Sequence, residues 1–155
     1  MTAVRALTPS EAAERTPVLI DLAIRAKGIW GYDDVFLASF RDSMLGPFDA
    51  PGSTVLVAEP ESGELLGFAM VQDRGDHCWL EDLWVDPSWQ RRGLGAQLFE
   101  AAVAHARSVG HDRLDLESDP NAEPFYAAMG CTRYAVRSSA LRPGTTLPLM
   151  RLRLR

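Results

Sequence analysis

A glycine-bearing loop set between an apolar strand and an amphipathic helix restricts this chain more than any other feature. Trp79 to Val85 reads as a buried strand and Asp86-Pro87 as a turn. Gln90-Arg91-Arg92-Gly93-Leu94-Gly95-Ala96 then runs straight into a helix that continues to about Val109. Where a loop enters a helix, the first backbone N–H groups have no partner inside the helix, and they point outward with the positive end of the helix dipole behind them. Such an entry accepts phosphate. Gly93 and Gly95 are expected to permit positive φ and to omit the Cβ atoms that would hold a diphosphate off the backbone. Arg91 and Arg92 are expected to add charge at the rim.

The rest of the chain supplies the partners of this unit. Val4 to Leu7 predicts a short strand, and Thr8-Pro9-Ser10-Glu11 has capping-box spacing with proline at the first helical position. Pro17 predicts a kink, or a restart at Thr16, in a helix reaching Gly28. A second helix is expected from about Asp33 to Met44, with Val35, Phe36, Leu37 and Phe40 on its apolar side, and a loop from Leu45 to Ser53. Thr54–Glu59 and Leu65–Gln72 read as a hairpin leading to the strand at 77–85. The long helix should bury Leu94, Leu98, Ala101, Ala102, His105 and Val109, and end at Gly110. Leu114–Ser118 should lie parallel to 77–85 because a helical crossover joins them. A short helix over Pro120–Met129 and strands at Cys131–Ser138 and Leu147–Leu154 close the chain.

The strand, the Q/R-x-x-G-x-G/A pattern at 90–95 and the helix together resemble the coenzyme A pyrophosphate loop of the GNAT superfamily of N-acetyltransferases. The downstream segment Asn121-Ala122-Glu123-Pro124-Phe125-Tyr126-Ala127-Ala128-Met129-Gly130 resembles a second element of that superfamily, although the Phe that often follows its glycine is Cys131 here. The order β-α-α-β-β-β-α-β-α-β-β extends the resemblance over essentially all of residues 1–155, expected to be one domain. It implies an α/β fold with a mixed, centrally splayed sheet. It also implies acetyl-CoA as co-substrate and direct transfer of the acetyl group to a primary amine in a ternary complex.

The resemblance also assigns roles. The backbone of Leu83, Trp84 and Val85 would meet the pantetheine arm, with an N–H near Leu83 supporting the oxyanion, and Gln90 to Ala96 would hold the pyrophosphate. Asn121 would bond the cofactor arm or simply open a helix, and Tyr126 would protonate the departing thiolate or pack on the sheet, facing away from Phe125. Trp30, Tyr32 and Asp33 would wall the acceptor pocket, with core packing as the competing reading for Trp30. Glu81 and Asp82 form an adjacent carboxylate pair in a buried strand, where desolvation makes them costly. Alternation sends them to opposite faces unless a bulge intervenes. By resemblance Glu81 is the base or acceptor ligand and Asp82 the alternative, with a structural salt bridge as the competing reading.

Charge and composition narrow the partners. Residues 1–86 carry 15 acidic against 6 basic groups and residues 87–155 carry 6 against 10, a net −5 that argues against nucleic acid. Asp33, Asp34 and Asp42 with Glu81 and Asp82 suggest an acidic acceptor side and a small cationic amine. Lys27 is the single lysine among 16 basic residues, which reads as compositional habit. No apolar run approaches the ~20 residues of a membrane span, and the N-terminus lacks a secretory pattern, so a cytoplasmic protein is expected. Cys78, Cys131, His77, His105 and His111 form no ligand spacing, so no metal is assigned. Homodimerisation is left open. The rival readings are a catalytically silent acyl-CoA sensor on the same fold and a nucleotide-binding module, the latter disfavoured by the lack of a G-x-x-x-x-G-K-[ST] loop.

Overall fold

The computed structural model describes residues 3–44 and 48–154. Among the described residues seven strands, β1 (Val4–Ala6), β2 (Ser53–Ala58), β3 (Gly67–Asp73), β4 (Cys78–Val85), β5 (Arg113–Glu117), β6 (Thr132–Ser138) and β7 (Thr146–Arg153), form one sheet in the order β1-β2-β3-β4-β5-β7-β6. The α-helices of the described residues, α1 (Pro9–Gly28), α2 (Asp34–Ser43), α3 (Leu94–Ser108) and α4 (Glu123–Ala128), interleave with them in the expected order. Among the described residues no helix is long and apolar enough to cross a membrane. Of the expected loop at Leu45–Ser53, Leu45, Gly46 and Pro47 lie outside the described residues, and β2 already begins at Ser53.

Period-2 patterning sorts the sheet onto two cores. In β2, Leu56 and Ala58 join α3, while Val55 and Val57 join Leu19, Ile20, Leu22 and Ala23 of α1 on the opposite face. The capping box of α1 forms, with Glu11 N donating to Thr8 Oγ1 at 3.2 Å and Thr8 N donating to Glu11 Oε1 at 3.0 Å. Pro17 neither ends nor restarts this helix. An interior proline costs ~3 kcal/mol, but each aliphatic side chain fully buried just beyond it contributes ~2 kcal/mol, and Leu19, Ile20 and Leu22 are all buried.

Two helix faces differ from expectation. Helix α3 buries Leu94, Leu98, Phe99, Ala102, Val103 and Ala106, whereas Val109 is exposed and His105 half-buried, because Phe99 must face the α4 rings as well as the sheet. Helix α2 has no buried residue, and Val35 is 78% exposed. Its Phe36 and Phe40 line a cavity instead of a core. The expected helix at 120–129 divides into a 3-10 turn at Pro120–Ala122 followed by α4, and Cys131 precedes β6 by one residue.

Two irregularities in β4 create the working surface. It pairs with β5 in parallel only over Cys78–Leu80 against Leu114–Leu116, and β5 otherwise pairs with β7, so the C-terminal half of β4 faces a notch. The ladder with β3 also shifts register: Leu80 lies opposite Val71 and Asp82 opposite Met70, leaving Glu81 unpaired between them. This bulge resolves the alternation problem. Leu80, Leu83 and Val85 contact the α3 core, while both Glu81 and Asp82 line a cavity on the other side.

Candidate active site

The notch beside β4 opens into a cavity of about 620 Å³ bounded by the loop before α3 and by α4. Asp86 N donates to Leu66 O, which sets the phase of the antiparallel ladder. With Asp86 in a bonded pair, Trp84 is bonded to β3 as well, and Leu83 and Val85 direct their N–H and C=O groups toward the notch. Gln90 Nε2 donates to Val85 O at 2.9 Å and ties the loop to the strand. Arg91 (φ 62°) and Gly93 (φ 79°) are both left-handed, and no side chain caps α3. Gln97 N is bonded to Gly93 O, so the N–H groups of Leu94, Gly95 and Ala96 precede the first helical bond and remain free for an anion.

The two glycines act differently from each other. Gly93 supplies the positive φ, whereas Gly95 is helical, and a Cβ there would stand 3.4 Å from the Phe125 ring. Gly95 is therefore a close-approach residue rather than a conformational one. Leu94 buries its side chain in the core and offers only its backbone, and Arg92 lies over the Trp89 ring at 4.6 Å rather than lining the cavity. Arg91, Ala96 and Asn121 do line it, and so does Trp30, which packs on Trp84 at 6.2 Å.

Tyr126 is 7% exposed and lines the same cavity. Burial pushes its phenol above its ordinary pKa, so it stays protonated at neutral pH. Phe125 does not face away from it: both rings pack on Phe99, at 6.4 and 5.9 Å, since neighbours on a helix differ by only ~100°.

A second cavity, of about 490 Å³, lies between α2 and the β6–β7 connection and shares Trp84 as a wall with the first. Asp82 is buried and accepts from Trp84 Nε1 at 3.0 Å. Burial, helped by the charge of Glu81, pushes its carboxyl up to about 7 against the effect of that hydrogen bond. Glu81 is exposed and accepts from Trp79 Nε1 at 2.7 Å. Tyr32 lines this cavity, whereas Asp33 caps α2 by accepting from Phe36 N at 2.8 Å. Asp33, Asp34 and Asp42 are exposed and are not among the lining residues, so the acidic side of the cleft is narrower than the charge count suggests.

Three residues that sequence reasoning passed over sit here. Lys27 Nζ is 2.6 Å from Asp119 Oδ2, and both side chains are nearly inaccessible, at 10% and 5%. Rings surround the ammonium, with centroids at 4.7 Å for Phe40, 5.1 Å for Tyr32, 5.7 Å for Phe36 and 5.8 Å for Trp30 and Trp84. Tyr32 Oη donates to Asp119 Oδ2 at 2.8 Å, and Asn121 donates to Oδ1 from its backbone at 2.7 Å and its side chain at 2.9 Å. Burial opposes ionisation of Asp119, yet Lys27 and these donors hold its carboxyl below the usual range. Burial and the bond to Asp119 push Tyr32 up to about 12. The third residue is Arg142, whose guanidinium lies over Tyr32 at 5.3 Å. The lone lysine was the sequence signal for this cluster, and nothing local marked Asp119 or Arg142.

A splayed sheet with an uncapped helix N-terminus and a buried phenol at its gap, and a buried carboxyl in the adjoining cavity, defines an acyltransferase architecture. The comparisons are specific: the model of the "Acetyltransferase (GNAT) family" matches residues 18–131, and the chain belongs to that family of acetyl-CoA-dependent acetyltransferases. The aminoglycoside N(6')-acetyltransferase type 1 of Stenotrophomonas maltophilia is 30% identical over 133 residues, 80% of this chain and 78% of that protein. A GNAT-family acetyltransferase of Desulfovibrio desulfuricans superposes with a TM-score of 0.76 at 18% identity, covering 99% of both chains. The PaiA N-acetyltransferase of Thermoplasma acidophilum, solved with coenzyme A, gives 0.76 at 15% identity, also over 99% of both.

Proposed function

We propose that the protein N-acetylates a primary amine by direct transfer within a ternary complex, with Asp82 as the general base and Tyr126 as the proton donor to the leaving group. The bulge in β4 carries this reading. It places a buried carboxyl with a pKa near neutrality beside Trp84, the wall shared by the two cavities. Gln90, Arg91 and the amides of Leu94, Gly95 and Ala96 would hold the pyrophosphate, and the inward-facing groups of Leu83 and Val85 the pantetheine arm.

Acetyl-CoA supplies an activated thioester, whose carbon–sulfur bond breaks as the amine nitrogen bonds the acetyl carbon. An aliphatic ammonium with a pKa of ~10.4 must first lose a proton, which Asp82 takes and passes to solvent. The second proton, shed as the amide forms, replaces the one Tyr126 gives to the thiolate. Asp82 is preferred over Glu81 because Glu81 is exposed and held by Trp79. Both cysteines are buried free thiols pushed up to about 11 by burial, poor candidates for a covalent carrier. The reading takes residues 1–155 as one catalytic domain working in the cytoplasm.

Thiol release from acetyl-CoA across aminoglycosides, polyamines, amino acids, aryl amines and N-terminal peptides tests it. Acceptor-dependent release with kcat/KM rising through about pH 7 is expected, the limb belonging to Asp82. Tight coenzyme A binding with no acceptor-dependent release for any amine would instead identify a sensor.

A further inference from the structure

Stability alone does not account for the buried pair of Lys27 and Asp119, because apolar side chains of similar volume in place of such a pair are often neutral or stabilising. What the pair does control is the state of the Asp119 carboxyl. Its Oδ2 accepts from Lys27 Nζ at 2.6 Å and Tyr32 Oη at 2.8 Å, and its Oδ1 accepts from Asn121 N at 2.7 Å and Asn121 Nδ2 at 2.9 Å. A carboxyl receiving all these donors has no lone pair left for a proton of its own, so Asp119 is ionised.

An ionised carboxylate only accepts, and this settles the orientation of the Asn121 amide: its NH2 end, not its oxygen, faces Asp119. Nδ2 also donates to Tyr32 Oη at 3.4 Å, so both of its hydrogens are turned toward this cluster. Among the described residues Asn121 Oδ1 accepts from no protein group. Asn121 lines the cavity beside β4, whereas Lys27, Tyr32 and Asp119 line the other one. The cluster is thus part of the partition between the cavities, with its charged members on one side and the unpartnered amide on the other.

We infer that Asp119, held by Lys27 and Tyr32, is a positioning residue for the coenzyme A cavity, fixing the Asn121 carboxamide so that it offers a carbonyl oxygen to an amide N–H of the cofactor arm. This rests on the cofactor cavity of the acetyltransferase reading. An unclamped asparagine would present either end of its amide and would lose that freedom on binding; the carboxylate removes the choice beforehand.

Calorimetric titration of coenzyme A into the wild-type protein, Asn121→Ala, Lys27→Met/Asp119→Leu and the triple variant tests the inference. Asn121→Ala should weaken binding roughly 3- to 10-fold, the range of one hydrogen bond. The pair replacement leaves no stranded charge and should weaken binding by a similar factor, and the triple variant should lose nothing further, because Asp119 acts through Asn121. Wild-type affinity in Asn121→Ala or in the folded pair replacement, or losses that add in full in the triple variant, overturns the inference while leaving thiol release intact. No binding of coenzyme A to the wild-type protein removes the cofactor cavity and the inference with it. A second measurement needs no substitution: Asn121 is the single asparagine of the chain, so selective labelling isolates its side-chain resonances. Its Nδ2 hydrogens should exchange with water roughly tenfold or more slowly than those of free asparagine, with and without coenzyme A, while the Cγ resonance moves on binding. Unprotected Nδ2 hydrogens, or a Cγ resonance indifferent to coenzyme A, refute the clamp even if the pair replacement does not fold.

Discussion

Replacing Asp82 by asparagine should make the protein more stable and almost inactive. The carboxyl rises from an ordinary 3.8 to about 7 in the fold, so the folded state keeps a proton that the unfolded chain has lost across that window. With the folded pKa raised, stability falls as pH climbs from about 4 to about 7, and the deficit stays constant above. That rise corresponds to an upper limit on the order of 4 kcal/mol of destabilisation at pH 8. Asparagine keeps an oxygen to accept from Trp84 Nε1 and removes the buried charge. Recovery of half that limit would raise the melting temperature by roughly 4–8 °C for a chain of this size. Thermal unfolding of both proteins from pH 4 to 8 reads the effect, and the gap should open from near zero at pH 4. Thiol-release assays of the same preparations should show kcat lower by roughly 10²- to 10⁴-fold, with coenzyme A affinity unchanged. A variant no more stable than the wild type at pH 8, with no trend in pH, would mean that Asp82 is not desolvated and that its role as base has lost its physical support.

Gly95→Glu should abolish coenzyme A binding in calorimetric titration, since it puts a carboxylate among the free amides and a Cβ 3.4 Å from Phe125; undiminished affinity in a folded variant would remove the loop from the site. Tyr126→Phe should lower kcat by ~10²-fold with cofactor affinity nearly constant, and a wild-type rate would return this ring to packing. Lys27→Met strands the buried Asp119 and should cost about 3–5 kcal/mol in denaturant unfolding. Adding Asp119→Asn should recover most of that loss, and independent, additive effects of the two changes would show the pair to be uncoupled.

Local signals account for what could be read in advance. The capping box at Thr8, the glycine of the αL turn at Gly93 and the helical crossover that forces β4 and β5 parallel are each written within short stretches, because backbone sterics and nearest hydrogen bonds decide them. Even the bulge left a trace: apolar alternation in β4 breaks at Leu80-Glu81-Asp82-Leu83, where two carboxylates replace one. Which of the two would be buried was not legible, because that depends on what packs over them. The apolar spacing of α2 likewise could not say that Phe36 and Phe40 would face a cavity rather than a core. The ion pair of Lys27 and Asp119 joins residues 92 positions apart, and Arg142 reaches Tyr32 from a loop at the far end of the chain. By itself the sequence determined the order of elements, the glycine-bearing entry to α3 and the family. Only the tertiary structure decided which of the paired carboxylates is buried and which charges line the second cavity, since burial and distance between remote side chains exist only once the sheet has splayed and the helices have closed on it.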